Sequence, residues 1–167
     1  MSLRVLDLQR AITYRHGRNA ILKHFGLTGL PRPVQHDIMV LTKKNGYGPA
    51  AWNTLCPDAR TAVESIDPRI PVRCFDPVTQ TIKEQIIEAQ KSTIVIAEHG
   101  TISYAAIYAR NGAVLISIGS STLLKEPQTL LFATHFQTLY MVSEIRGDLR
   151  GMIKTALNRA GENFDIK

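Results

Sequence analysis

Four short stretches of this 167-residue chain hold residue types that can bind an anion or act on one: Lys43 to Pro49, Asp76 to Thr79, Glu98 to Ser103, and Gly119 to Thr122. The third is the most informative. An apolar strand ending in Glu98-His99-Gly100 and running straight into a helix puts glycine where the backbone must approach something closely. The N–H groups of Thr101, Ile102 and Ser103 would open that helix with no partner inside it, backed by the positive end of the helix. Such an end suits a phosphate or diphosphate, and the hydroxyls of Thr101 and Ser103 add donors. Lys43 and Lys44 can neutralise phosphate as point charges without planar geometry. Glu98 and His99 are the local titratable groups and so the weak candidates for catalysis. Taken alone, the junction also fits a plain helix cap with a packed loop histidine, and the lysines fit a solvated turn.

Other site chemistries find little in the chain. His16, His24, His36, His99 and His135 show no H-E-x-x-H or paired metal spacing, so no metal is expected. No G-x-G-x-x-G or G-x-x-x-x-G-K-[ST] run is present, which disfavours the usual dinucleotide and P-loop sites. No serine sits in a G-x-S-x-G elbow. Trp52 can stack on a base or anchor a helix, and Asn53 can cap one. Cys56 and Cys74 are too few for a disulfide scaffold, so either reads as a buried thiol and no cross-link is expected. Twenty Lys and Arg against fourteen Asp and Glu give a formal charge of +6. That balance suits an anionic partner, whether phosphate, nucleotide or nucleic acid. Arg4, Arg10, Arg15, His16, Arg18, Lys23 and His24 gather in the first segment, as a nucleic-acid patch or a solvated helix face would.

The elements that must position these residues follow from the apolar pattern. Val5 to His24 reads as a helix stopped by Phe25-Gly26, with Pro31-Arg32-Pro33 as a stiff connector. Asp37 to Thr42 is a continuous apolar run, the mark of a strand buried on both faces. A helix follows, from Asn53 or Asp58 to Ile66, then a strand over Pro71 to Phe75. Thr81 to Ala89 has Ile82, Ile86 and Ile87 on one helical face. Thr93 to Ala97 is the clearest strand. Ile102 to Ala109 reads as helix, Ala113 to Ile118 as strand, and Glu126 to Thr134 as helix. Thr138 to Val142 makes a last short strand, and Ile145 to Arg159 a terminal helix.

Strands alternating with helices imply crossover connections and a mainly parallel sheet covered on both faces. The expected fold is α/β, a Rossmann-like three-layer sandwich in one domain over 1–167. Its parts are an amino-terminal helix (1–30), a core (36–145) and a terminal helix (146–167). No apolar run reaches the ~20 residues of a membrane span. Met1-Ser2-Leu3-Arg4 lacks the apolar block of a signal peptide, so the chain reads as cytoplasmic by default.

The stretch Ile82-Lys83-Glu84-Gln85 to Ile94-Val95-Ile96-Ala97-Glu98-His99-Gly100-Thr101 resembles the carboxyl-terminal lobe of the family 61 glycosyltransferases. That family includes plant xylan-modifying enzymes and animal O-linked N-acetylglucosaminyltransferases. There a helix bearing Glu-Gln precedes a strand, a His-Gly at the next helix start, and another apolar strand, here Val114 to Ile118. The strand Ile38 to Thr42, the basic residues after it and Asn53 are also similar. The resemblance spans roughly Asp37 to Tyr140.

It implies one lobe of a GT-B fold, binding a nucleoside-diphosphate sugar as donor substrate without cofactor or metal. Lys43, Lys44, Asn45, His99, Gly100, Thr101, Ile102, Ser103, Gly119 and Ser120 would line the donor site. An amino-terminal lobe or partner chain would complete the cleft. Two alternatives stand beside it. One is a non-catalytic Rossmann-like module that binds a partner protein or nucleic acid. The other is a small-molecule enzyme on a flavodoxin-like sheet.

Overall fold

The computed structural model describes residues 5–42, 54–98, 101–118, 140–143 and 148–166, with backbone only at 5–11, 14, 101–104 and 140–143. Five strands form one sheet: β1 (Ile38–Leu41), β2 (Val72–Phe75), β3 (Ile94–Glu98), β4 (Val114–Ile118) and β5 (Tyr140–Ser143). The strands are parallel and lie in the order β2-β1-β3-β4-β5. The fold is therefore α/β with helices on both faces, as the alternating sequence pattern requires.

The apolar runs become strands because both of their faces are covered. Every residue of β1, β3 and β4 is buried. Ile38, Val40, Ile94, Ile96, Val114 and Ile116 face one core, with α2 (Leu55–Glu64) and the terminal helix α4 (Leu149–Phe164) packed on them. Met39, Leu41, Val95, Ala97 and Leu115 face the other. There Ala89 of α3 (Ile82–Lys91) and the small residues Ala105, Ala106 and Ala109 complete the layer. Alternation along each strand thus divides one apolar run between two cores.

Three expectations need correction. The segment expected as a helix over Ile102 to Ala109 is a 3-10 helix over Thr101–Tyr108. Its alanines lie close on the sheet, and its carbonyls are met from outside by a buried side chain of α1 (Val5–His24). Arg18 donates through Nε to the Ile107 carbonyl at 2.7 Å and through Nη2 to the Ala109 carbonyl at 2.5 Å. The terminal helix starts later than expected and runs further. Asp148 caps it by accepting from the Gly151 N–H at 3.2 Å, and buried Phe164 carries it past Arg159. Gly112, at φ +92°, lets the Phe164 ring approach to within 3.2 Å of where a Cβ would stand.

The third correction concerns sulfur. Cys56 and Cys74 are joined as a disulfide, with their Cα atoms 5.9 Å apart. The spacing of 18 residues carried no sign of this. It arises because α2 packs its first turn beside β2. The expected helix over Glu126 to Thr134 lies outside the described residues.

Candidate functional site

In a parallel sheet of this order the chain leaves β1 to one side for β2, then crosses over β1 to β3 on the other. The carboxyl ends of β1 and β3 therefore flank the point where strand order reverses, the usual place for a ligand in open α/β sheets. The register sets the levels. Leu41 pairs with Ala97, and two residues further along the two chains come Lys43 and His99. Glu98 pairs with Ile118, and one residue further come His99 and Gly119. The carboxyl ends of β1, β3 and β4, which precede these segments in the sequence, thus lie side by side.

Lys43, Lys44, Asn45, His99, Gly100, Gly119 and Ser120 themselves lie outside the described residues. Thr101, Ile102 and Ser103 open the 3-10 helix, and their backbone N–H groups are the first of that helix. Glu98 ends β3 and is 8% exposed.

The fourth loop of the rim is fully described. Phe75 ends β2 beside Leu41, and Asp76 caps the short 3-10 helix Pro77–Thr79 by accepting from the Val78 N–H at 3.0 Å. The loop is then pinned from α3. Gln85 Nε2 donates to the carbonyls of Pro77 at 2.8 Å and Gln80 at 3.2 Å. Glu84 closes a capping box: its carboxylate accepts from the Thr81 N–H at 2.8 Å while Thr81 Oγ1 accepts from the Glu84 N–H at 3.3 Å. The Thr81 hydroxyl, which also donates to the Glu84 carboxylate at 2.7 Å, and then the Thr81 N–H hold that carboxyl below its ordinary pKa. The Glu-Gln pair therefore builds the helix start and fixes a rim loop; in the described contacts it serves as scaffold.

No family model matches the chain, and no curated protein matches it. Among solved structures it is similar to the metal-soaked Flv1 flavodiiron core from Synechocystis sp. PCC6803, at 13% identity and a TM-score of 0.46. That match covers 89% of this chain and 41% of the other, so this chain spans about two fifths of that protein's length.

The opposite end of the sheet holds a separate cleft of about 460 Å³, lined by His36, Leu157, Asn158, Gly161, Glu162 and Ile166. His36 Nδ1 is buried with no hydrogen-bond partner among the described residues. Burial lowers the pKa of the imidazole, against a smaller upward pull from Asp67. Sequence reasoning did not single out this histidine beyond its lack of metal spacing.

An ion-pair cluster also lies at this amino-terminal end. Arg73 of β2 reaches Asp37 Oδ1 through Nε at 2.9 Å and Nη2 at 2.6 Å, and Ser92 Oγ at 2.9 Å. It also pairs with Glu88. The cluster ties edge strand β2 to α3 and to the entry of β1.

Proposed function

We propose that the chain is the nucleotide-sugar-binding lobe of a glycosyltransferase, holding a nucleoside-diphosphate donor for transfer to an acceptor hydroxyl. The observation that carries this reading is the register. It brings the strand ends that precede Lys43, His99 and Gly119 side by side at the reversal point of the sheet.

In this reading the chemistry is electrostatic. As the bond between sugar and diphosphate breaks, negative charge grows on the leaving phosphate. The opening amides of the 3-10 helix, with the ammonium groups of Lys43 and Lys44 that follow β1 in the sequence, would stabilise that charge more in the transition state than before it. The enclosure of Glu98 argues for an acceptor base on a second lobe, in the same protein or a partner. Val78 and Ile82, 76% and 55% exposed near this rim, offer such a lobe apolar surface.

Thermal unfolding with UDP and GDP tests the reading. A nucleotide that binds only the folded state adds about 2.7 kcal/mol of stability at a hundredfold excess over Kd. The expected result is stabilisation by one of the two and its loss in Gly100→Val, with the far-ultraviolet circular dichroism of that variant intact. Failure of both nucleotides to stabilise the protein would remove the donor-site reading.

A further inference from the structure

The bond between Cys56 and Cys74 sits one residue short of the carboxyl end of β2, on the edge strand of the sheet. It ties the first turn of α2 to β2. Three observations separate it from a plain structural staple. Cys56 is buried at 3% exposure, whereas Cys74 is an exposed residue on the edge strand, so the bond has one end at the surface. Second, the first turn of α2 has no side-chain cap: Thr54 makes no hydrogen bond to a helix N–H, and its hydroxyl donates to Asp58 Oδ2 at 2.9 Å. Third, Leu55, Ala59 and Val63 keep the inner face of α2 in the core independently of the sulfur bond.

We propose that the Cys56–Cys74 bond is a thiol-exchangeable clasp that sets the order of the first turn of α2. Its effect on the rim rests on the donor-site reading; its effect on the turn does not.

The exchange balances with two equivalents of an external thiol. A thiolate attacks the Cys74 sulfur, forming a mixed disulfide and expelling the Cys56 thiolate. The amino-terminal end of α2 favours that anion, and a stabilised thiolate leaves faster. A second thiolate attacks the external sulfur of the mixed disulfide and releases Cys74 as thiolate. The external thiols are oxidised to their disulfide, the protein sulfurs are reduced by two electrons, and solvent protonates both. With the clasp open, α2 remains docked while its first turn frays.

Protein purified without reductant is compared with the same protein after dithiothreitol, and with Cys56→Ser/Cys74→Ser. Alkylation followed by mass spectrometry reports the bond, and hydrogen exchange reports the turn. The expected result is a disulfide-linked peptide pair before reduction. After it, amide exchange over 58–61, whose N–H groups bond to the carbonyls of the first turn, rises by roughly tenfold while β3 and α4 keep their protection. The double variant behaves as the reduced protein. Full alkylation of both cysteines before reduction overturns the clasp, and so does an opened bond with unchanged exchange at 58–61. Loss of protection across the whole sheet also overturns it, because the bond would then be a staple on which the fold depends. UDP affinity is read in both states, with weaker binding expected after reduction. A protein that binds nucleotide in neither state defeats the donor-site reading, and the exchange result still judges the clasp.

Discussion

His36 shows how one side chain couples the fold to pH. Its ring lies against Gly161 of α4, 3.8 Å from where a Cβ would stand, and its Nδ1 is sealed from water. Charging such a ring inside the protein costs more than charging it in the unfolded chain, so its folded pKa lies below the ordinary value of 6.5. Asp67 opposes this only in part. Asp67 is itself held down to about 2, first by the hydrogen bond from the Arg69 side chain, and so stays ionised throughout the range that matters. A depressed histidine contributes stability that is complete above its unfolded pKa. That contribution is lost as pH falls below 6.5 toward the folded value, because the unfolded chain takes up the proton first. The melting temperature of the wild-type protein is therefore expected to fall more steeply from about pH 7 to about pH 5 than that of His36→Gln. Equal slopes in calorimetry would show that this ring carries no linkage. The position was not legible in the sequence, because burial of a loop histidine depends on a helix more than a hundred residues away.

At the scale of elements, Gln85 joins a helix to the loop that leaves β2. Its amide spans the carbonyls of Pro77 and Gln80, both of which a carboxylate would repel. Gln85→Ala is expected to lower the unfolding free energy by about 1 kcal/mol, the usual net value of such bonds. Gln85→Glu is expected to cost at least as much, since it keeps the size and loses the donor. Urea denaturation measures both, and a neutral Gln85→Glu would refute the pinning role. The strands were legible because a run such as Ile94 to Ala97 can be buried on both faces only in a covered sheet. The 3-10 geometry of Thr101–Tyr108 was not, because an apolar spacing of three or four serves either helix until the packing distance to the sheet decides. Nor was the pairing of Cys56 with Cys74, which needed the packing of α2 on β2. The reversal point of the sheet was legible only as a rule about parallel sheets; strand order was needed to locate it between β1 and β3.

For the whole molecule the question is which part of the +6 charge a ligand meets. The basic helix α1 is held by Arg18 at the carboxyl-terminal end of the 3-10 helix Thr101–Tyr108, the end away from the rim where that helix begins. Arg15, His16, Lys23 and His24 of α1 are exposed. The basic surface of α1 therefore lies apart from the rim that the donor-site reading invokes, and salt distinguishes a ligand on one from a ligand on the other. A nucleic acid neutralised by six or more cations releases as many counterions, and its affinity falls by about a thousandfold or more between 50 and 200 mM salt. A nucleoside diphosphate meets only the few charges of one pocket, so its affinity should fall by less than about tenfold over the same range. The donor-site reading expects the shallow dependence for UDP or GDP, abolished by Lys43→Glu/Lys44→Glu and untouched by Arg15→Ser/Lys23→Ser. Tight oligonucleotide binding with the steep dependence, lost in the α1 variant and retained in the lysine variant, would instead make this a nucleic-acid module. Fluorescence titrations at three salt concentrations decide between the two surfaces.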